Sequence, residues 1–354
     1  MIRITRILGI YLLLLALATI PGWAADAPTF SLAWSEYPSW SVFGVAHEHK
    51  IIDGKRGAMG PVEEKWGVDI ELKEADYDTC LVLYGSSQCD AACLTNMDSL
   101  NPSLSRKTVG ILPTSTSVGA DALIVAGDIT DIKQLKEKKV YGLAKTVSEY
   151  CFVRNLEILG EKEADYNFTN FDPGAAAMAM QQKNEGYDAI VVWNPFVLET
   201  LNKRKDARVL FDSTTIPGEI IDMVVMAETS LEKEGGKAFA CAVIDAFYQV
   251  NEMIADPATK NDTLIALGEK FSHLDLKSMR KVVQQTKFYS TPDEGLALLN
   301  SDELKGIMEK VVDFCLDHEV IAEKPEVGYG DKAAAPDAAF RMDTTFIQET
   351  AAKK

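Results

Sequence analysis

The feature that most constrains this chain is an alternation. Short β-type apolar runs at 29–34, 68–73, 91–95, 122–126, 139–143, 189–193 and 223–227 are interleaved with helical patterns at 76–85, 132–137, 148–159, 174–184 and 195–203. Strand, helix, strand units of this kind build parallel sheets with crossover helices, so the chain belongs to the α/β class. After residue 236 the pattern changes: helical stretches at 236–254, 261–271, 275–286 and 301–318 follow one another with no strand expected between them. That helical third is expected to pack on the first part of the chain. A chain of 354 residues exceeds what one hydrophobic core organises, so two lobes are expected.

The N-terminus reads as a secretory signal peptide spanning 1–24. Arg3 and Arg6 supply the positive start, residues 7–20 are apolar, and Gly22 and Ala24 are the small residues before the cut. The apolar run is short for a membrane span, the competing reading being an uncleaved anchor. Export to a periplasm is the expectation, with no cysteine near the cut to carry a lipid.

The formal charge of −17 argues against a nucleic-acid partner, since phosphate-backbone binding needs clustered Lys and Arg. Six cysteines, at 80, 89, 93, 151, 241 and 315, would be free to pair in an oxidising compartment; buried thiols and disulfides both remain open. No metal is expected. The four histidines lack zinc-site spacing with the cysteines, and His47 and His49, two residues apart at a helix end, point in different directions.

Polar, aromatic segments stand directly after the predicted strands, where open α/β sheets hold their ligands. They are Trp34-Ser-Glu-Tyr-Pro-Ser-Trp40, Thr95-Asn-Met-Asp98, Lys145-Thr-Val-Ser-Glu-Tyr150 and Trp193-Asn-Pro195. Two further segments, Ser117-Val-Gly-Ala-Asp121 and Ile216-Pro-Gly-Glu-Ile-Ile-Asp222, precede strands and are natural crossings between lobes.

In this order and spacing the segments resemble the nitrate/taurine/sulfonate class of ABC-transporter periplasmic binding proteins, especially its branch encoded beside urea carboxylase. The resemblance runs from about 29 to about 347 and also rests on Gly119-Ala-Asp-Ala-Leu-Ile-Val125, Phe211-Asp-Ser-Thr-Thr-Ile-Pro-Gly and Phe340-Arg-Met-Asp-Thr-Thr345. Glu149, where that branch has a histidine, and Ser39, where it has glycine, depart from it. What the resemblance implies is a type II periplasmic binding protein: two doubly wound lobes joined by a two-strand hinge, with the ligand in the interlobe cleft. Lobe 1 would be 25–118 plus 229–354, and lobe 2 would be 119–228. A membrane permease and an ATPase would be the partners, and the protein would be a monomer without a cofactor.

The candidate ligand-binding residues are Trp34, Glu36, Tyr37, Trp40, Asn96, Asp98, Asp121, Ser148, Glu149, Trp193, Asn194, Glu219 and Asp222. Acids and flat rings outnumber bases in these segments, where Lys145 is the one basic residue. Such a set suits a small planar solute rich in N–H groups, urea, guanidine or an amidine, able to stack on rings and donate to carboxylates. Each residue has a structural alternative. Trp34 and Trp193 can be core aromatics, Asp98 a helix cap, Asp121 a hinge brace and Glu36 a solvated loop residue. Asp222 beside an apolar strand needs a partner of some kind. The helix beginning near Ser148 offers free N–H groups that would attract an anion unless Glu149 occupies that end. The competing functions are a binding protein for a small anion or amino-acid-like solute, a ligand-sensing module, and an enzyme. A thiamine-pyrimidine-forming enzyme is a more distant resemblance, but the histidine and cysteine-rich run associated with it are absent from the cleft segments. No nucleophile elbow or phosphate loop is present either, so the chain is read as a non-enzyme.

Overall fold

The computed structural model describes residues 27–353, and the signal peptide expected at 1–24 lies outside them. The strands of the described residues are β1 (Thr29–Trp34), β2 (Asp69–Glu74), β3 (Ala91–Thr95), β4 (Thr108–Ser117), β5 (Asp121–Val125), β6 (Lys139–Gly142) and β7 (Asn167–Asn170). They continue with β8 (Ala189–Trp193), β9 (Arg208–Asp212), β10 (Ile221–Ala227), β11 (Thr286–Phe288), β12 (Val327–Tyr329) and β13 (Phe340–Met342). They form two sheets, one per lobe. The first runs β12-β13-β4-β10-β3-β1-β2 with β11 added against β4, and the second runs β7-β6-β8-β5-β9.

In the first sheet β1 pairs parallel with β2 and β3, and β13 pairs parallel with β4 and β12; in the second, β6 is parallel to β7 and β8. Each sheet contains one internal strand that runs the other way. β10 is antiparallel to β3 and β4, and β5 is antiparallel to β8 and β9. These two are the first strands laid down after the chain crosses between lobes, at β4–β5 and at β9–β10. Their starts therefore lie beside the C-terminal ends of their neighbours: Asp121 stands opposite Trp193, and Asp222 opposite Thr95 and Ser115. This topology gathers the candidate residues at the facing edges of the two sheets.

Two sequence expectations need correction. Residues 221–227, placed in the second lobe by the expected boundary at 228/229, belong to the first sheet, because β10 pairs with β3 and β4. β4, the longest strand, was not expected at all. Its Thr-Val-Gly-Ile-Leu-Pro-Thr-Ser-Thr-Ser sequence is polar in its second half and contains Pro113, which argues against a central strand. Pro113 is tolerated because the β4–β10 register shifts at Met223, which faces it, so the missing N–H falls at a bulge. At Gly110, which pairs with Val225, a Cβ would come within 2.7 Å of the Met223 methyl, so a larger residue there would need that side chain to shift.

The C-terminal third is more than helices. β11 interrupts the expected helical run, a further helix spans Pro292–Leu299, and β12 and β13 extend the first sheet beside β4. The long helix Gly236–Ala255 lies on that sheet, with Phe239 stacked on Phe30 at 5.0 Å. Its buried Asp245 accepts hydrogen bonds from Lys65 Nζ at 2.8 Å and Trp66 Nε1 at 2.9 Å, so the charge is paired as burial demands. All six cysteines are free and buried. Among the described residues no helix is long and apolar enough to cross a membrane.

Candidate functional site

The two lobes are closed on each other, and a small cavity lies between the sheet edges. Tyr37, Trp40 and Tyr77 from the first lobe and Trp193 from the second wall it; Asp222 and Asp121 enter it from opposite lobes. Its volume is about 10 Å³, room for about one water, so the facing walls must part slightly to admit even a molecule of a few heavy atoms. No Lys or Arg lines it.

The rings form a continuous wall. Tyr37 meets Trp40 at 4.9 Å, Trp40 stacks on Tyr77 at 5.5 Å with 13° between planes, and Tyr77 meets Trp193 edge-on at 5.8 Å. The last contact crosses the cleft. Tyr77 lines the cavity but is absent from the sequence-derived candidates, as are Thr95, Val147 and Ile220. It begins the helix Tyr77–Gly85, whose N-cap Asp76 accepts from the Thr79 amide at 2.7 Å. The signal was available, since Tyr77 follows β2 just as Tyr37 follows β1.

Asp121 is buried, and its Oδ2 has no hydrogen-bond partner. Burial pushes its carboxyl up to about 7; Ser117 opposes the rise and Asp98 adds to it. Asp222 is buried as well and is raised above the carboxylate range, first by burial and then by the charge of Asp121, while a hydrogen bond from Ser115 opposes. The Ser39 hydroxyl lies 2.8 Å from that of Ser115, so the serine that departs from the family pattern supports the Asp222 network. One donor in the same wall, Trp40 Nε1, also lacks a partner, whereas the Tyr37 hydroxyl is directed to Asp222. A buried orphan donor beside a buried orphan acceptor costs stability unless something fills both.

Several expected ligand residues do other work. Trp34 does not line the cavity: its ring packs over Gly44, where a Cβ would approach it to 2.9 Å. Asn96 clamps the second crossing, donating from Nδ2 to the Glu219 carbonyl at 3.1 Å and accepting from the Ile221 amide at 3.1 Å. Glu219 is consumed by the Tyr150 hydroxyl at 2.6 Å and Arg154 Nε at 2.9 Å, with Lys310 at 3.5 Å; despite its burial these partners hold it below the usual glutamate range. Glu36 is exposed and accepts from the Ser272 hydroxyl at 3.0 Å. Asn194 donates to Gln285 at 3.1 Å and keeps its Oδ1 free.

The helix end at Ser148 is closed to anions. The Thr146 side chain caps Val147–Leu159, Glu149 turns back to the Lys145 amide at 2.6 Å, and Asp98 reaches over from the other lobe to the Val147 amide. Asp98 also accepts from the Tyr77 hydroxyl at 2.6 Å and from Thr95 Oγ1 at 2.9 Å, and burial raises it to about 6 against those bonds. The Ser148 hydroxyl is buried without a partner. Carboxylates thus fill the positive end of this helix, the position an anionic ligand would take.

A second, larger space of about 590 Å³ shares Tyr77 and Trp193 with the inner cavity and opens outward. Glu36, Glu74, Asp76, Asp78 and Asp172 line it, with no base. It is an acidic mouth.

No protein-family model matches the chain, and no curated protein matches it by sequence. Solved structures do match in fold. The periplasmic aliphatic sulphonate binding protein SsuA of Escherichia coli superposes with a TM-score of 0.65 at 18% identity, covering 84% of this chain and 94% of that one. The alkanesulfonate-binding protein SsuA of Xanthomonas axonopodis pv. citri, bound to MOPS, gives 0.67 at 13% identity, covering 90% and 100%. The periplasmic nitrate-binding protein NrtA of Synechocystis PCC 6803 gives 0.55 at 13% identity, covering 83% and 88%. At these identities the likeness is one of fold, that of a type II periplasmic binding protein.

Proposed function

We propose that this chain is the periplasmic solute-binding component of an ABC-type importer, serving a permease and an ATPase, and that its solute is a small, planar, N–H-rich molecule of the urea or amide kind. The observation that carries this reading is the pairing of Asp121 and Asp222 from opposite lobes in one aromatic-walled cavity without a base.

A sulfonate or nitrate needs compact positive charge or converging N–H donors. Here two buried carboxyl groups occupy the centre, and the Thr146 and Asp98 side chains already take the Ser148 and Val147 amides of the nearby helix end. The neighbours named for sulfonate and nitrate share the fold, while the chemistry of this cleft favours a donor of N–H groups. Both carboxyl groups are raised toward protonation, which suits a neutral molecule at least as well as a cation.

The orphaned atoms narrow the class. Asp121 Oδ2 asks for a donor, and Trp40 Nε1 asks for an acceptor. Urea or a simple amide offers both edges in one plane, with two N–H bonds on one side and a carbonyl oxygen on the other. Guanidinium carries no acceptor and leaves the Trp40 donor unmet. The urea class therefore ranks first and guanidinium second. Flat contact with the rings supplies the remaining affinity.

A thermal-shift screen with urea, acetamide, formamide, guanidinium, acetamidine, nitrate, taurine and methanesulfonate tests the proposal. Stabilisation by urea or an amide is expected. Stabilisation by nitrate or a sulfonate alone would overturn it.

A further inference from the structure

Away from the cleft, the lobes also meet around His318, just beyond the helix Asp302–Asp317. That helix is tied to the first lobe, where Met308 Sδ receives Asn96 Nδ2 at 3.6 Å and Lys305 lies over the Tyr329 ring of β12 at 5.9 Å. Its far end faces the second lobe. Phe314 meets Tyr150 edge-on at 4.9 Å, and Lys145 Nζ donates to the Glu319 carbonyl at 3.0 Å.

His318 is held between two acceptors. Its Nδ1 lies 2.9 Å from the Phe314 carbonyl and its Nε2 lies 2.9 Å from Glu163 Oε2, on the 3-10 turn Glu163–Asp165 of the second lobe. Neither partner can donate, unless the glutamate itself is protonated, so a neutral imidazole can satisfy only one of them. The doubly protonated ring satisfies both. It stacks on Phe314 at 3.8 Å, which fixes its plane.

We propose that His318 and Glu163 form a proton-dependent latch between the lobes, closed when His318 is an imidazolium and weakened when it is neutral. The charged groups around the ring agree with this. Glu163 and Glu149 face it from the second lobe, Asp317 and Glu319 flank it on its own chain, and Lys145 is the nearby base, engaged at Glu319. In the closed form the two hydrogen bonds and the glutamate charges raise the His318 pKa above the usual histidine value, against an opposing effect of burial. Opening removes Glu163 and lets that value fall. Protonation consequently favours closure: the stabilisation is complete below the open-state pKa and is lost as pH rises through the closed-state pKa. For a partly exposed pair the closed-to-open ratio should change about two- to fivefold.

The latch operates without solute, so it is tested on the ligand-free full chain and stands apart from the identity of the ligand. NMR titration, with the His318 signal assigned by its loss in His318→Gln, should show His318 titrating above the usual histidine value, and Glu163→Gln should lower its pKa. Small-angle scattering at about pH 5.5 and about pH 8 should give a smaller radius of gyration at the lower pH, a change reduced in His318→Gln and in Glu163→Gln. An unmoved His318 pKa in Glu163→Gln, or an equal pH response in wild type and His318→Gln, would overturn the proposal.

Discussion

Asp121 at the start of β5 and Asp222 at the start of β10 enter one buried cavity from opposite lobes, each at the first residue or two of the strand that follows a crossing. The same chain reversal that joins the lobes thus delivers both carboxyl groups. Closing the lobes brings like charges together out of water, which is unfavourable unless protons or a solute intervene. Closure is therefore expected to depend on protonation of these groups or on a solute that meets them.

Replacing Asp121 by Asn should weaken solute binding about 10- to 100-fold, the loss expected when a buried charged acceptor is removed. Asp222→Asn should act in the same direction. Calorimetric titration with the solute identified by screening measures both.

The same carboxyl groups set a pH dependence of the ligand-free protein. A raised folded-state pKa means that the folded state binds the extra proton, so stability is greatest below the unfolded value and falls as pH rises toward the folded one. For Asp121 that window runs from the ordinary aspartate range to about 7, and for Asp98 to about 6. The Tm should fall between about pH 4 and about pH 7, and Asp121→Asn should flatten that fall.

The two tryptophans of the original pattern should separate. Trp193→Ala opens the aromatic wall and should reduce affinity with little loss of stability. Trp34→Ala empties a core position beside Gly44 and should cost about 3–5 kcal/mol in denaturant unfolding. Tyr77→Phe should weaken binding through Asp98 and Thr95, which lose the hydroxyl that joins them.

The acidic mouth should act on rates. With a cationic solute such as guanidinium, the association rate should fall with added salt, and Glu74→Gln with Asp78→Asn should reduce that dependence; neutral urea should show none. Stopped-flow tryptophan fluorescence follows each case.

The sequence was legible where one face of an element pays out a simple period. β1, β3, β5 and β8 lie within a residue of their expected bounds, because each is a short apolar run that ends at a polar turn. β4 was hidden because Val109, Ile111 and Leu112 are its only apolar residues with branched chains and the rest of its buried length is Ser, Thr, Gly and Pro, the hydroxyls satisfied by neighbours far along the chain such as Ile220 and Asp222. The site was legible as a set of loops and less so residue by residue. Trp34 and Trp193 both end strands, yet only Trp193 meets the cavity, since the direction of a ring depends on packing partners such as Gly44. Likewise Glu219 and Asp98 resemble ligand acids in sequence, but Arg154 and Tyr77 claim them in space.

The sign and shape of the solute are decided by isothermal titration of the purified protein with urea and, separately, with methanesulfonate at neutral pH: urea should bind saturably, with binding abolished or sharply weakened by Asp121→Asn, and methanesulfonate should give no heat of binding. Binding of methanesulfonate with none of urea or the simple amides would contradict the proposed function.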